Sequence, residues 1–369
     1  MDPALESLTK KLAKLATYYD HTGEWPVKSL EHLTDAGAWT WVIPRQFGGL
    51  GLDPFLQTQG YEAVAAGCMS TLLILTQRDG AAEFIAQSNN EPLKSDLLPR
   101  LVRHETMISL GISQLTTSHQ TGRPALTARP DGSSFKLHGF SPWITGAREC
   151  QYLVIGAVLP DERQLLLCVP TDLKGVVIDP PMQLMALQSS QTCEVHFKDV
   201  VVDEQYVLRG PGERILASRS TVKPLVVATA GIGLAGTMVR LIQSLVAKSQ
   251  PAAEPGAASS PLVEMADELT ARYQALRDRL MTFAASLLDP AQDVPKTEIR
   301  VGVNDLLVRL AAGLLIYSKG SGLLRQRDAQ RLVREAMFFL VWSAPEDVRA
   351  QTLARLLDRP DPQIRSMTR

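Results

Sequence analysis

TVKPLVVATAGIGLAG (221–236) contains a literal GxGxxG, Gly231-Ile232-Gly233-Leu234-Ala235-Gly236, after an apolar run and ahead of a helical stretch. A dinucleotide-binding turn needs more than glycines: a βαβ unit, with a second strand after the helix and an acid near its end for the ribose. Here the helical pattern runs on to Ser249, and the Pro/Ala/Ser/Gly stretch SQPAAEPGAASSP (249–261) separates it from more helix at 262–288. A helix face of small residues, which lets another backbone approach closely, explains the glycines better than a nucleotide turn.

Downstream, helical patterns cover roughly 298–319 and 324–342, with a short one after Pro345. Upstream, between Met107 and Leu208, the texture is a series of short β-rich runs: MISLGI, FKLHG, PWITG, QYLVIGAV, QLLLCV, GVVI and QTCEVHF. Turn signals such as Pro130-Asp131-Gly132 separate them. In the first hundred residues Leu5, Leu8, Leu12, Leu15 and Tyr19 recur at helical spacing. The order predicts an α+β multidomain chain: an N-terminal α-helical domain over 1–104, a middle antiparallel β sheet or barrel over 105–212, and a C-terminal antiparallel helical bundle over 213–369.

The 369 residues are 45% hydrophobic and 21% charged, ordinary for a globular protein, and the formal net charge of -1 supplies no field to attract nucleic acid or an anionic membrane. No signal core or membrane-length apolar run stands out, so the expected location is cytoplasmic. Cys68, Cys150, Cys168 and Cys193 lack metal-type spacing and read as buried thiols.

Five stretches in this order carry a family resemblance. VIPRQFGGLGLD (42–53) places an aromatic, Gly-Gly and Gly ahead of a helix. HGFSPWITGA (138–147) ends in an indole, a β-branched aliphatic, a hydroxyl and two small residues. CEVHFKDVVVDEQYVL (193–208), TVKPLVVATAGIGLAG and QRDAQRLVREA (326–336) follow. Together they resemble the acyl-CoA dehydrogenase family, and the resemblance puts the GxGxxG inside the first long C-terminal helix.

The chemistry implied is α,β-dehydrogenation of an acyl thioester: a carboxylate takes the α-proton while a flavin N5 takes the β-hydride. By the resemblance, Trp143 covers the flavin ring, with the Ile144 backbone and the Thr145 hydroxyl on its N5 side. Ser113 falls where the family has a Thr on the flavin pyrimidine, and Leu110 and Ile112 supply neighbouring contacts. The competing reading makes Trp143 a core aromatic and Thr145 a plain strand residue. His119 occupies the place of a family Ser along the acyl-thioester path, as a substrate contact or as a surface loop histidine.

Other positions depart from the pattern. Counting from Asp328 at the family's base spacing reaches Ala336, with Glu335 one residue early, a rotation of ~100° on a helix. Glu335 is the candidate base; otherwise it is a helical Glu facing water or an ion-pair partner. The family's alternative base position is Lys223, a residue that is protonated unless deeply buried. The Arg-x-x-Phe-Gly clamp for the pyrophosphate of FAD has no counterpart at 249–261. The resemblance therefore implies a flavin-dependent oxidoreductase using FAD, with FMN as the alternative flavin, and an acyl-CoA or related substrate. It further implies a homodimer or homotetramer and no metal. The alternatives are a catalytically degenerate member serving as a structural or binding subunit, or a flavin monooxygenase on the same fold.

Overall fold

The computed structural model describes residues 2–115, 124–216, 225–249, 260–287 and 296–359. Five helices come first: α1 (Pro3–Thr22), α2 (Val27–Asp35), α3 (Pro54–Gly67), α4 (Met69–Ala86) and α5 (Glu91–Val102). Their starts follow local chemistry. Asp2, Asp53 and Asn90 each accept a backbone N–H of the first turn, and each is followed by Pro at one of the first two helical positions.

Eight strands follow: β1 (Ile108–Gly111), β2 (Leu126–Asp131), β3 (Ser134–Ile144), β4 (Tyr152–Val158), β5 (Gln164–Pro170), β6 (Val176–Ile178), β7 (Cys193–Asp203) and β8 (Val207–Gly212). They form one sheet in the order β6-β7-β3-β2-β4-β5-β8, with β1 beside β4. The sheet is mostly antiparallel as expected, but β4 pairs parallel with β1 and, at one position, with β2. The unbroken apolar runs of β4 and β5 have a simple cause. Val154, Leu166 and Cys168 pack into the core shared with the helices, while the alternating Leu153, Ile155, Leu165 and Leu167 fill a second core inside the sheet.

The last section holds α6 (Val226–Ser249), α7 (Pro261–Ser286), α8 (Lys296–Ser318), α9 (Asp328–Phe338) and α10 (Glu346–Leu356). The GxGxxG lies inside α6, and each glycine admits a different neighbour. A Cβ on Gly231 would lie 2.3 Å from Val303 of α8, one on Gly233 2.5 Å from the Glu62 carbonyl of α3, and one on Gly236 2.7 Å from the Tyr273 hydroxyl of α7. Among the described helices α6 alone is long and apolar enough to span a bilayer, a possibility composition had not raised; 67% of its apolar window is buried inside the molecule, the signature of a core helix.

Helix α9 is shorter than the apolar pattern over 324–342 suggested. Past Phe338 the backbone tightens into turns that close three residues back, and the Arg300 guanidinium of α8 donates to the carbonyls of Phe339 and Trp342. A cation on the freed carbonyls ends the helix.

Candidate functional site

Strand β3 pairs with β7 with a first register shift between Leu137 and His138, then regularly from His138↔Lys198 to Ser141↔Val195; pairing resumes at Ile144↔Cys193, so β3 there has three steps where β7 has two. Pro142, which has no N–H to give the ladder, sits in this bulge. The extra residue changes which side chains point inward: Ser141 and Ile144 are both buried, and Trp143 is turned out, 53% exposed.

Immediately beyond, Thr145 is buried, and its Oγ1 lies 3.3 Å from Thr192 Oγ1, which lies 2.9 Å from Ser190 Oγ. Three hydroxyls are thus strung from the β3 end into the turn ahead of β7. That turn is clamped to β3: the Gly146 N–H donates to the carbonyls of Ser190 and Gln191. Gly146 is left-handed (φ +60), and a Cβ there would lie 2.5 Å from the Trp25 indole. The room beside Gly146 therefore belongs to Trp25, in the link between α1 and α2. Trp25, Ser190 and Thr192 were missed in the sequence; nothing in their local pattern links them to residues so far along the chain.

At the neighbouring strand end, Leu110 packs on α4 beside Gly80, and Ile112 and Leu115 lie over Gly156 of β4. Ser113 opens a short 3-10 turn and is half-buried. The next residue, also missed, is structural: Gln114 Nε2 donates to the carbonyls of Gly111 (2.9 Å) and Gly156 (2.7 Å), and its Oε1 accepts from Ser141 Oγ (3.0 Å). One buried amide thus ties β1, β3 and β4 together just behind Trp143. His119 and Lys223 lie outside the described residues.

On α9, Glu335 is 2% exposed, and both of its oxygens accept from Arg331 Nη1, at 3.1 and 3.0 Å. Arg331 Nη2 donates to Asp328, which also accepts from Thr17 of α1. Arg334 binds Asp20 of α1 through both terminal nitrogens and donates to the Met185 carbonyl. Burial raises the Glu335 carboxyl above its usual range, against the pull of Arg331, and Asp20 raises it further. Ala336, at the family's base spacing, is fully buried. No hydrogen bond or ion pair among the described residues joins Glu335 to the β3 end.

Residues 2–105 match the family model of the acyl-CoA dehydrogenase N-terminal domain. A probable acyl-CoA dehydrogenase of Bacillus subtilis (strain 168) is 24% identical over 363 residues, 94% of each chain. A glutaryl-coenzyme A dehydrogenase solved as its glutaryl-CoA complex superposes with a TM-score of 0.83 at 18% identity, over 98% of this chain and 97% of that one. The chain has the acyl-CoA dehydrogenase fold, and its N-terminal domain is of that family. The fold is shared with dibenzothiophene monooxygenase from Paenibacillus sp. A11-2, at a TM-score of 0.79 and 18% identity over 97% of this chain and 98% of that one. The same monooxygenase has been solved with FMN bound.

The group that an acyl-CoA dehydrogenase fold implies is a flavin, and the β3 end carries two features that one edge of such a ring would need. Trp143 offers an exposed indole face. The three hydroxyls share two hydrogen bonds among the described residues, which leaves one hydroxyl proton of the chain free for a partner at either end. Of the stretch 249–261, where the family's pyrophosphate clamp would fall, residues 250–259 lie outside the described residues.

Proposed function

We propose that the chain is a flavin-dependent oxidoreductase whose reaction takes place at the β3 end. The observation that carries this reading is the bulge at Pro142, which turns the Trp143 indole outward beside the buried Thr145 hydroxyl. Trp143 would cover a ring face, and the Ile144 backbone and Thr145 Oγ1 would meet its N5 edge. Ser113 and the backbone around Leu110 and Ile112 would meet the pyrimidine. When bound, flavin supplies hydride acceptance or, once reduced, reactivity toward oxygen. Gln114 and the Gly146 clamp hold the two strand ends in register, and the Trp25 indole fills the space beside Gly146.

The substrate class that the fold suggests is an acyl-CoA or a related small molecule, and FAD and FMN both remain candidates. Dehydrogenation of an acyl thioester needs a free carboxylate, and the Arg331–Glu335 pair argues against Glu335 in that role. Of the internal segments outside the described residues, 116–123 and 217–224 hold no Asp or Glu, whereas 250–259 holds Glu254 and 288–295 holds Asp289 and Asp293. The engagement of Glu335 by Arg331 is the observation that favours the second reading on the same fold, a monooxygenase, which does not need a carboxylate to take an α-proton.

The test is the visible spectrum of the purified chain after incubation with FAD or FMN, followed by anaerobic addition of an acyl-CoA. A bound flavin that an acyl-CoA does not bleach, but that oxygen reoxidises after external reduction, supports the monooxygenase. Bleaching by the acyl-CoA restores dehydrogenation, and failure to take up either flavin removes the oxidoreductase reading altogether.

A further inference from the structure

The turn between β6 and β7 is held in a conformation that few sequences adopt without cause. Leu187 (φ 61) and Gln191 (φ 44) are left-handed residues that are not glycine, and they bracket Gln188-Ser189-Ser190. Such positions persist only where their surroundings over-determine them, and they gather at sites that do something. Here the surroundings are explicit. Gln188 Nε2 donates to the Met182 carbonyl and its Oε1 accepts from the Leu184 N–H. Gln191 Nε2 donates to the Gly23 carbonyl, and both the Ser190 and Gln191 carbonyls accept from Gly146. The effect is to set Ser190 Oγ and Thr192 Oγ1 in line behind Thr145 Oγ1, at 2.9 and 3.3 Å.

A row of hydroxyls can run in either direction, because each oxygen both donates and accepts and each proton rotates. With the row running Ser190 to Thr192 to Thr145, Thr145 presents a donor. With all three protons turned round, Thr145 donates inward to Thr192 and presents an acceptor.

We propose that Thr192, backed by Ser190, is a positioning residue that lets Thr145 switch between donor and acceptor as a bound flavin is reduced. The inference rests on the placement of Thr145 at the flavin N5 edge. That nitrogen is an acceptor in the oxidised ring and carries a hydrogen once a hydride has been transferred to it. In the reduced state Thr145 must accept, and its own proton needs a buried partner; Thr192 is that partner. Without it the proton left without a partner in the reduced state sits on Thr145, against the flavin edge, instead of on Ser190 at the far end of the row, which disfavours reduction.

The test is a reductive titration of the flavin-loaded chain against a dye of known potential, which needs no substrate. Thr192→Val keeps the shape and removes the hydroxyl. It is expected to lower the reduced-to-oxidised ratio at a given potential on the order of tenfold, a downward shift of ~30 mV for a two-electron couple. Thr192→Ser should restore the wild-type potential. Ser190→Ala, which cuts the row one step further out, should shift the potential the same way by less, and it gives a second reading if Thr192→Val does not fold. Equal potentials in wild type, Thr192→Val and Ser190→Ala would overturn the relay, as would a shift in Thr192→Ser equal to that in Thr192→Val. A wild type that binds neither flavin overturns the flavin placement itself, a result distinct from a yellow protein with unchanged potentials.

Discussion

Arg331 Nη1 lies 3.1 and 3.0 Å from the two oxygens of Glu335, one turn of α9 further on, with both side chains buried. With both oxygens engaged by a guanidinium and no bond among the described residues to the β3 end, this carboxylate is placed as a structural member, not where it would meet a substrate proton. Removing one partner strands the other charge in the core, which costs about 3 kcal/mol or more. Glu335→Gln should therefore lower the unfolding free energy by about that much, read from denaturant titration, while reduction and reoxidation of bound flavin stay at wild-type rates. Loss of reduction in a variant of unchanged stability would return Glu335 to the base role.

Trp143 predicts the opposite pattern. Because the indole is half out in solvent, Trp143→Ala should change stability by about 1 kcal/mol or less. If the indole covers a flavin ring, the same change should weaken flavin affinity about tenfold, as the loss of an aromatic stack does. Isothermal titration with FAD and FMN checks both, with the unfolding midpoint measured on the same sample.

Gly146 joins two requirements, a left-handed backbone and no Cβ toward Trp25. Gly146→Ala should destabilise by about 2 kcal/mol. Pairing it with Trp25→Ala should recover part of the loss, because the clash but not the backbone strain is removed. Thermal unfolding of the two single variants and the double variant gives the coupling, and strict additivity would show that the indole does not press on this position.

A buried acid gives the N-terminal helices a pH signature. Asp79 accepts from Arg78 and from the Tyr61 hydroxyl, yet burial outweighs both and raises its pKa to about 6. A carboxyl whose folded pKa lies above its unfolded value, about 3.9, contributes stability that is fully present below about pH 4 and is lost as pH rises through about 6. Burial moves Glu335 in the same direction. The wild-type melting temperature should therefore gain more than that of Asp79→Asn on going from about pH 7.5 to about pH 5. Equal gains in the two proteins would show that Asp79 does not titrate in this window.

What was legible in the sequence was local. The GxGxxG could be placed in a helix because the strand that a nucleotide turn requires never follows it, and α6 bears this out with three different helices against its three glycines. The Arg331 and Glu335 spacing of four was also visible, but whether that face of α9 met water or α1 depends on Asp20 and Thr17, some three hundred residues earlier. Trp25 and Gly146, and Thr145 and Thr192, are brought together by the docking of α1 on the sheet and by the register of β3 on β7. Neither leaves a local pattern. The outward turn of Trp143 depends on a bulge, and a single Pro in a strand signals one without saying which side chain will be turned out.

The most direct test of the account is a side-by-side visible spectrum of wild type and Trp143→Ala after incubation with FAD and with FMN and removal of the free flavin. The account predicts a yellow wild type whose flavin band is shifted from that of free flavin, with much less bound flavin in the variant at equal folded protein. A colourless wild type, or a variant with the same flavin content and the same spectrum, would contradict it.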